Sequence, residues 1–174
     1  MAVQSTYRVL GIDPGLQATG FGIIEAQGRR ARLLSHGVIE TNAKTPLPER
    51  LAQIHQGIEQ AIQAGHPDRA AFEKLIYAKN VSIALLLGQA RGAALVACAQ
   101  HALPMVEFSP TEIKSCIVGR GRANKTQVQK MVQVLLNMPE CPASDHAADA
   151  LAAALADVYA KPMRDKLQSI ASAP

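Results

Sequence analysis

Asp13, Glu73, His146 and Asp149 are the residues of this 174-residue chain whose types and positions suggest chemistry. Asp13 ends the run VLGID and is followed at once by Pro14-Gly15. Val, Leu and Ile favour a dry core, whereas an unpaired carboxylate is costly there unless it is paired or bound to a metal. Glu73 ends a second apolar run, DRAAFE. SDHAAD opens a helical pattern in which His146 and Asp149 are three apart and share a face; Asp145 and Asp149, four apart, nearly share it too. Clustered carboxylates repel one another and desolvate badly, and a divalent cation relieves both problems. Hard oxygen ligands with one imidazole suit Mg²⁺ or Mn²⁺. Two such ions about 4 Å apart would activate a water and stabilise the leaving oxygen of a phosphodiester. Each residue alone has an ordinary reading: Asp13 as a turn cap, Glu73 as an exposed strand end, Asp145 and Asp149 as helix N-terminal acids favoured by the dipole and His146 as a surface histidine. The combination carries the chemical argument.

The elements that must hold these residues can be read along the chain. YRVLGID (7–13) reads as a strand, GFGIIEAQ (20–27) as a second and ARLLSHGVIET (31–41) as a third, and the short connections imply antiparallel neighbours. ERLAQIHQGIEQAIQA spaces Leu51, Ile54, Ile58 and Ile62 as a helix, with Gly65 where a C-terminal cap belongs. DRAAFE (68–73) is a short strand, KLIYAKN a loop or helix entry, and SIALLLGQARGAALVACAQHA (82–102) a long, largely buried helix. LPMVEFS is a fifth strand. Ser109 and Glu112 fit a capping box for the next helix. VGRGRAN is a basic loop, KTQVQKMVQVLLN an amphipathic helix, MPECPAS a loop, and residues 144–160 a last helix with Ser144 as N-cap. The order βββαβαβαα(α) predicts an α/β domain, a mixed sheet flanked by helices. Residues 1–160 form this domain; 161–174 read as a basic, frayed tail.

Composition narrows the function class. The length points to one domain. The three scattered cysteines, Cys98, Cys116 and Cys141, argue against a disulfide framework and for a reducing compartment, the cytoplasm. No signal peptide is read at the N-terminus, and the most apolar segment carries Gln89 and Arg91 in its middle, too short between polar residues to span a bilayer. The net charge of +4 favours a polyanionic partner.

Four stretches carry a family resemblance: LGIDPGLQATGFGII, EKLIYAKNVSIALLLGQARGAALVA, EIKSCIVGRGRANKTQVQKMV and DHAADALAAALA. In that order, from about residue 8 to residue 160, they resemble the RuvC-type Holliday-junction resolvases. The resemblance implies an RNase H-like fold, a homodimer, two Mg²⁺ ions per site (Mn²⁺ as the alternative), and endonuclease action on four-way DNA junctions in recombination and repair. It implies that Asp13, Glu73 and Asp149 are the catalytic acids. The fourth position, one turn before Asp149, is often Asp in this family and sometimes His; here it is His146, with Asp145 beside it. Asp13 would bridge both ions, Glu73 and Asp149 would hold one each, and the products would carry a 5′-phosphate and a 3′-hydroxyl. A branch-migration motor is the implied partner.

In the loop after Glu73 the family places an aromatic three positions on, to wedge or stack at the junction. This chain has Ile76 there, followed by Tyr77, so either Tyr77 stacks or Ile76 inserts as an apolar wedge; ordinary packing is the other reading of Tyr77. Lys114 and Lys125 match family positions near the scissile strand. Arg120 and Arg122 lie in the Gly-containing loop between them, and Lys74 and Lys79 flank the Glu73 loop. All six suit phosphate contacts or a solvated basic face. Gly88 and Gly92 allow close approach along the 82–102 helix, either to a dimer partner or within the core. Rival readings are an RNA-processing nuclease on the same fold and a catalytically silent junction-binding protein. An actin-like ATPase would need a second domain and a second Gly-rich loop, which this chain lacks.

Overall fold

The structure, a computed structural model, describes residues 5–74 and 80–171. Its elements are β1 (Tyr7–Asp13), β2 (Ala18–Gln27), β3 (Arg30–Glu40), α1 (Leu47–Gly65), β4 (Arg69–Glu73), α2 (Val81–Gln100), β5 (Met105–Phe108), α3 (Pro110–Val118), α4 (Lys125–Leu135) and α5 (Asp145–Ala171). The sheet order is β3-β2-β1-β4-β5, with β1–β2–β3 antiparallel and β1, β4 and β5 parallel. This is the expected mixed five-stranded sheet. Helices cover both faces. Val9, Ile24 and Ala71 pack with α3, α4 and α5, while Leu10, Ile12, Ile23, Ala70 and Phe72 pack with α1 and α2.

That division fixes where the acids point. Side chains alternate across a strand. On β1, Val9 and Gly11 face α5, so Asp13 does too; on β4, Ala71 faces α5, so Glu73 does too. The parallel register runs to Ile12 opposite Phe72, which leaves Asp13 and Glu73 side by side one residue further on.

α5 lies unusually close to β1 and β2 because three glycines leave it room. A Cβ on Gly11 would stand 1.9 Å from the Ala150 carbonyl oxygen, and one on Gly20 would stand 2.0 Å from that of His146. One on Gly22 would meet the Leu151 side chain at 2.4 Å. Gly11 pairs with Gly22, and Gly20 pairs with Asp13. α5 answers with a stripe of buried Ala147, Ala150 and Ala154. Lower down, fully buried Asp157 of α5 pairs with Arg69 at the start of β4, Nε to Oδ2 3.4 Å.

Other local expectations fare unevenly. Ser109 and Glu112 form the capping box, and Asn124 with Gln127 forms a second one. The Ser144 carbonyl accepts the Ala148 N–H and so starts α5. The cysteines are free thiols. α1 is capped by His66 in the left-handed region (φ 46°), not by Gly65, whose missing side chain instead makes room for Ile23. α2 is not largely buried: Ala90, Ala94, Ala97 and Cys98 enter the core, but Val81, Ile83, Leu85 and Leu86 are exposed. By length and composition α2 is also apolar enough to cross a bilayer, against the reading of that segment as too interrupted; one side of its second half, Ala94, Ala97 and Cys98, packs into the domain core. The helix α5 continues past residue 160 to Ala171 rather than ending in an unpatterned tail, since Met163–Gln168 are mostly good helix formers.

Gly11→Ala should cost about 3 kcal/mol of stability, because the new methyl meets helix backbone that cannot rotate away. Urea unfolding measures it; a loss under about 1 kcal/mol would mean that α5 can lift off the sheet without penalty.

Candidate active site

β1 brings Asp13 to the sheet end, and the turn after it is tightly braced. The Thr19 hydroxyl donates to the Gly15 carbonyl at 2.7 Å, and Arg50 donates to the Leu16 carbonyl at 3.2 Å and to Thr41 Oγ1 at 2.9 Å. A Cβ on Gly15 would stand 2.4 Å from the Ala18 carbonyl oxygen, so only glycine fits this corner. The turn therefore holds Asp13 still and leaves its carboxylate one-fifth exposed.

α5 brings His146 and Asp149 over the same end. His146 Nδ1 lies 2.7 Å from Asp13 Oδ2, and an ionised Asp13 accepts the bond from that nitrogen. Asp145, one residue earlier, points elsewhere. Lys125 Nζ sits 3.0 Å from Asp145 Oδ2 and 3.0 Å from Asp149 Oδ2, and Gln129 donates to Asp145 Oδ1 at 2.7 Å. His146, rather than Asp145, thus completes the group around Asp13. Lys114 and Lys125 line one groove with Glu73 and Asp149.

The electrostatics of this cluster are unfavourable as they stand. Burial pushes the Glu73 carboxyl up to about 7, reinforced by Asp13 and Asp149 and opposed by Lys125 and Lys114. Burial also raises Asp13; the His146 hydrogen bond pulls it back and Asp149 pushes it up again. Burial would lower Lys125, but its bonds to Asp149 and Asp145 leave it raised overall. Three carboxylates from three elements thus share one end of the sheet with too little positive charge. Such a hard oxygen set, with one imidazole, fits a divalent cation. Among the described residues no three acidic or imidazole groups are already drawn into ligating range; Asp13 is engaged by His146 and Asp149 by Lys125.

The other expected residues divide. Lys74 is exposed and its charge acts on Glu112. Arg120 and Arg122 are exposed on the α3–α4 loop, outside the groove lining. Ile76, Tyr77 and Lys79 lie outside the described residues. One positioning residue went unread: Arg91 of α2 donates to the Glu73 carbonyl at 3.1 Å, pairs with Glu107 of β5 and lies over the Phe72 ring at 5.2 Å. It braces the end of β4 from behind. A lone cation inside an apolar helix was the available signal.

A five-stranded mixed sheet with carboxylates gathered at one end defines a nuclease of RNase H-like fold, and comparison with known proteins agrees. The family model described as "Crossover junction endodeoxyribonuclease RuvC" matches residues 9–157. A curated relative of that name from Chloroflexus aggregans is 45% identical over 155 residues, 89% of this chain and 94% of its own. One from Shewanella frigidimarina is 50% identical over 147 residues, 84% of each chain. The solved Thermus thermophilus RuvC in complex with Holliday junction substrate superimposes with a TM-score of 0.88 at 33% identity, covering 91% of this chain and 96% of its own. The chain belongs to the RuvC family of crossover junction endodeoxyribonucleases.

The raised carboxyl has a stability consequence whose sign is fixed. The folded state holds the Glu73 proton more tightly than the unfolded chain, so stability present below pH 4.5 is lost as pH rises through about 7. In chelator, Glu73→Gln should therefore melt higher than wild type at pH 8 and match it at pH 4. Added Mn²⁺ at pH 8 should raise the wild-type Tm more than that of the variant. Thermal melts with and without Mn²⁺ check both; a variant that melts lower in chelator at pH 8 contradicts the assignment.

Proposed function

We propose that this protein resolves four-way DNA junctions by metal-assisted hydrolysis at the Asp13, Glu73 and Asp149 cluster. The observation that carries the proposal is the convergence of those three carboxylates beside Lys114 and Lys125, in a chain of this family. The solved relative bound to a Holliday junction supports the substrate class. In this reading Asp13, Glu73 and Asp149 hold two Mg²⁺ ions, with Mn²⁺ as the alternative, and His146 assists. When bound, the cations supply polarisation of the scissile phosphate and a nucleophile at neutral pH.

The chain's own residues do the remaining work. His146 fixes the orientation of Asp13, and Arg91 fixes the backbone of Glu73. Lys114 and Lys125 stand at the groove wall, where a strand phosphate would meet them; Arg120, Arg122 and Lys74 would add contacts further out. Val81, Leu85 and Val96 are exposed on the side of α2 that also carries Gly88 and Gly92, beside which there is open space. A second copy of the chain docked there would make a two-fold dimer with two sites, one for each of two strands. The proposed setting is the cytoplasm, beside a branch-migration motor.

On a mobile four-way junction with Mg²⁺, wild type should make paired symmetric nicks that chelator abolishes, and should leave structured RNA intact. Asp13→Asn should bind the junction yet cut slower by on the order of 10³ or more. Preferred cutting of RNA would shift the reading to an RNA-processing nuclease, and binding without nicks under either metal to a junction-binding protein. Leu85→Asp should turn dimer into monomer in analytical ultracentrifugation and uncouple the paired nicks; an unchanged dimer would place the interface elsewhere.

A further inference from the structure

Lys125 and Asp145 form an arrangement that the cluster of acids alone does not require. Lys125 and Gln129 are four apart on α4, and Asp145 and Asp149 are four apart on α5, so two polar pairs face each other across the helices. The Lys125 ammonium is shared equally, 3.0 Å from each aspartate. The aspartates differ in surroundings. Asp149 belongs to the acid cluster and its side chain is 28% exposed; Asp145 is 66% exposed, touches neither Asp13 nor Glu73, and is held by Gln129 at 2.7 Å.

We propose that Lys125 is a displaceable counter-ion for Asp149, and that Asp145, oriented by Gln129, is the station that receives the ammonium when Asp149 takes up a divalent cation. The proposal rests on the reading of Asp149 as a metal-holding residue. An ammonium and a divalent cation compete for the same carboxylate oxygen. Were Asp149 the only acid partner of Lys125, cation uptake would leave the ammonium with no counter-charge. With Asp145 already in contact, Lys125 surrenders one of two partners and keeps the other. A flexible four-carbon stem ending in a compact charge suits this exchange; a rigid guanidinium fork would not. The ammonium also stays at the wall of the groove lined by Glu73 and Asp149, within the same pocket that a strand phosphate would enter. Asp145 is then a positioning residue that sets cation affinity through Lys125, not a ligand.

The test is direct Mn²⁺ binding to the DNA-free protein, read by electron paramagnetic resonance, for wild type, Lys125→Met, Asp145→Asn and the double variant. Both residues are largely exposed, so the variants should fold. Lys125→Met should bind Mn²⁺ about fivefold tighter, and Asp145→Asn about three- to fivefold weaker, the size expected for one solvent-exposed ion pair. The double variant should match Lys125→Met, because with no ammonium to receive, Asp145 has nothing to do. If Asp145→Asn weakens Mn²⁺ equally in the Lys125→Met background, Asp145 acts only as a nearby negative charge and the proposal falls. No effect of Asp145→Asn in the wild-type background overturns it as well. Asp149→Asn serves as the control: undiminished Mn²⁺ binding there would remove the metal assignment itself, a failure distinct from that of the exchange.

Discussion

The close seating of α5 on β1 and β2 is the contact on which the rest of the molecule depends. It is a steric condition before it is an energetic one. Backbone oxygens of Ala150 and His146 occupy the space that ordinary side chains would fill at Gly11 and Gly20. The alanine stripe on α5 meets this surface with side chains that lose little entropy on burial, so the interface is held by area and fit. Because Gly20 pairs with Asp13, the same missing side chain that admits the helix also delivers His146 to the carboxylate. Packing and the imidazole–carboxylate contact are therefore settled at one point of the sheet.

The charges at that point are arranged against stability. The Glu73 carboxylate accepts no hydrogen bond from the described residues, and its proton is held to about pH 7 by burial and by two neighbouring acids. Elsewhere the chain treats buried charge differently: Asp157 is paired with Arg69, and Arg50 is spread over a hydroxyl and a carbonyl. The contrast separates charges that brace the fold from carboxylates left available at the sheet end. The braces sit immediately behind the available ones. Arg91 grips the backbone of Glu73 and leaves its carboxylate alone; Thr19 and Arg50 grip the turn and leave Asp13 alone.

Much of this was legible in the sequence where local rules suffice. The span of β1, the antiparallel hairpins, the capping box at Ser109 and the strand-end acids follow from periodicity and turn chemistry. The second capping box at Asn124 obeyed the same rule and was overlooked. What periodicity cannot separate is a core face from an interface face. Both are apolar at helical spacing, so the first half of α2 read as buried when it is exposed. Gly65 read as a cap because its use, space for Ile23, is a tertiary fact. Within the site, spacing left His146 and Asp145 on an equal footing; the placement of α4 draws Asp145 onto Lys125 and Gln129, while His146 reaches Asp13. Arg91 escaped because its partners, Glu73 and Glu107, are far along the chain and adjacent only once the sheet is assembled.

The alternation that puts Asp13 and Glu73 on the α5 face has a consequence for how such a chain can vary. Strand side chains carry a parity, and both acids inherit theirs from the core residues below them: Val9 and Gly11 on one strand, Ala71 on the other. A single residue inserted or deleted between Val9 and Asp13 would flip the carboxylate to the face of α1 and α2, leaving every residue type in place and the site dismantled. Two residues would restore the face but move the acid about 6.6 Å along the strand, beyond the reach of its partners. The core of β1 and β4 thus works as a ruler as much as a glue. The parity leaves room for length changes only in connections such as the one between β3 and α1, where no count is being kept.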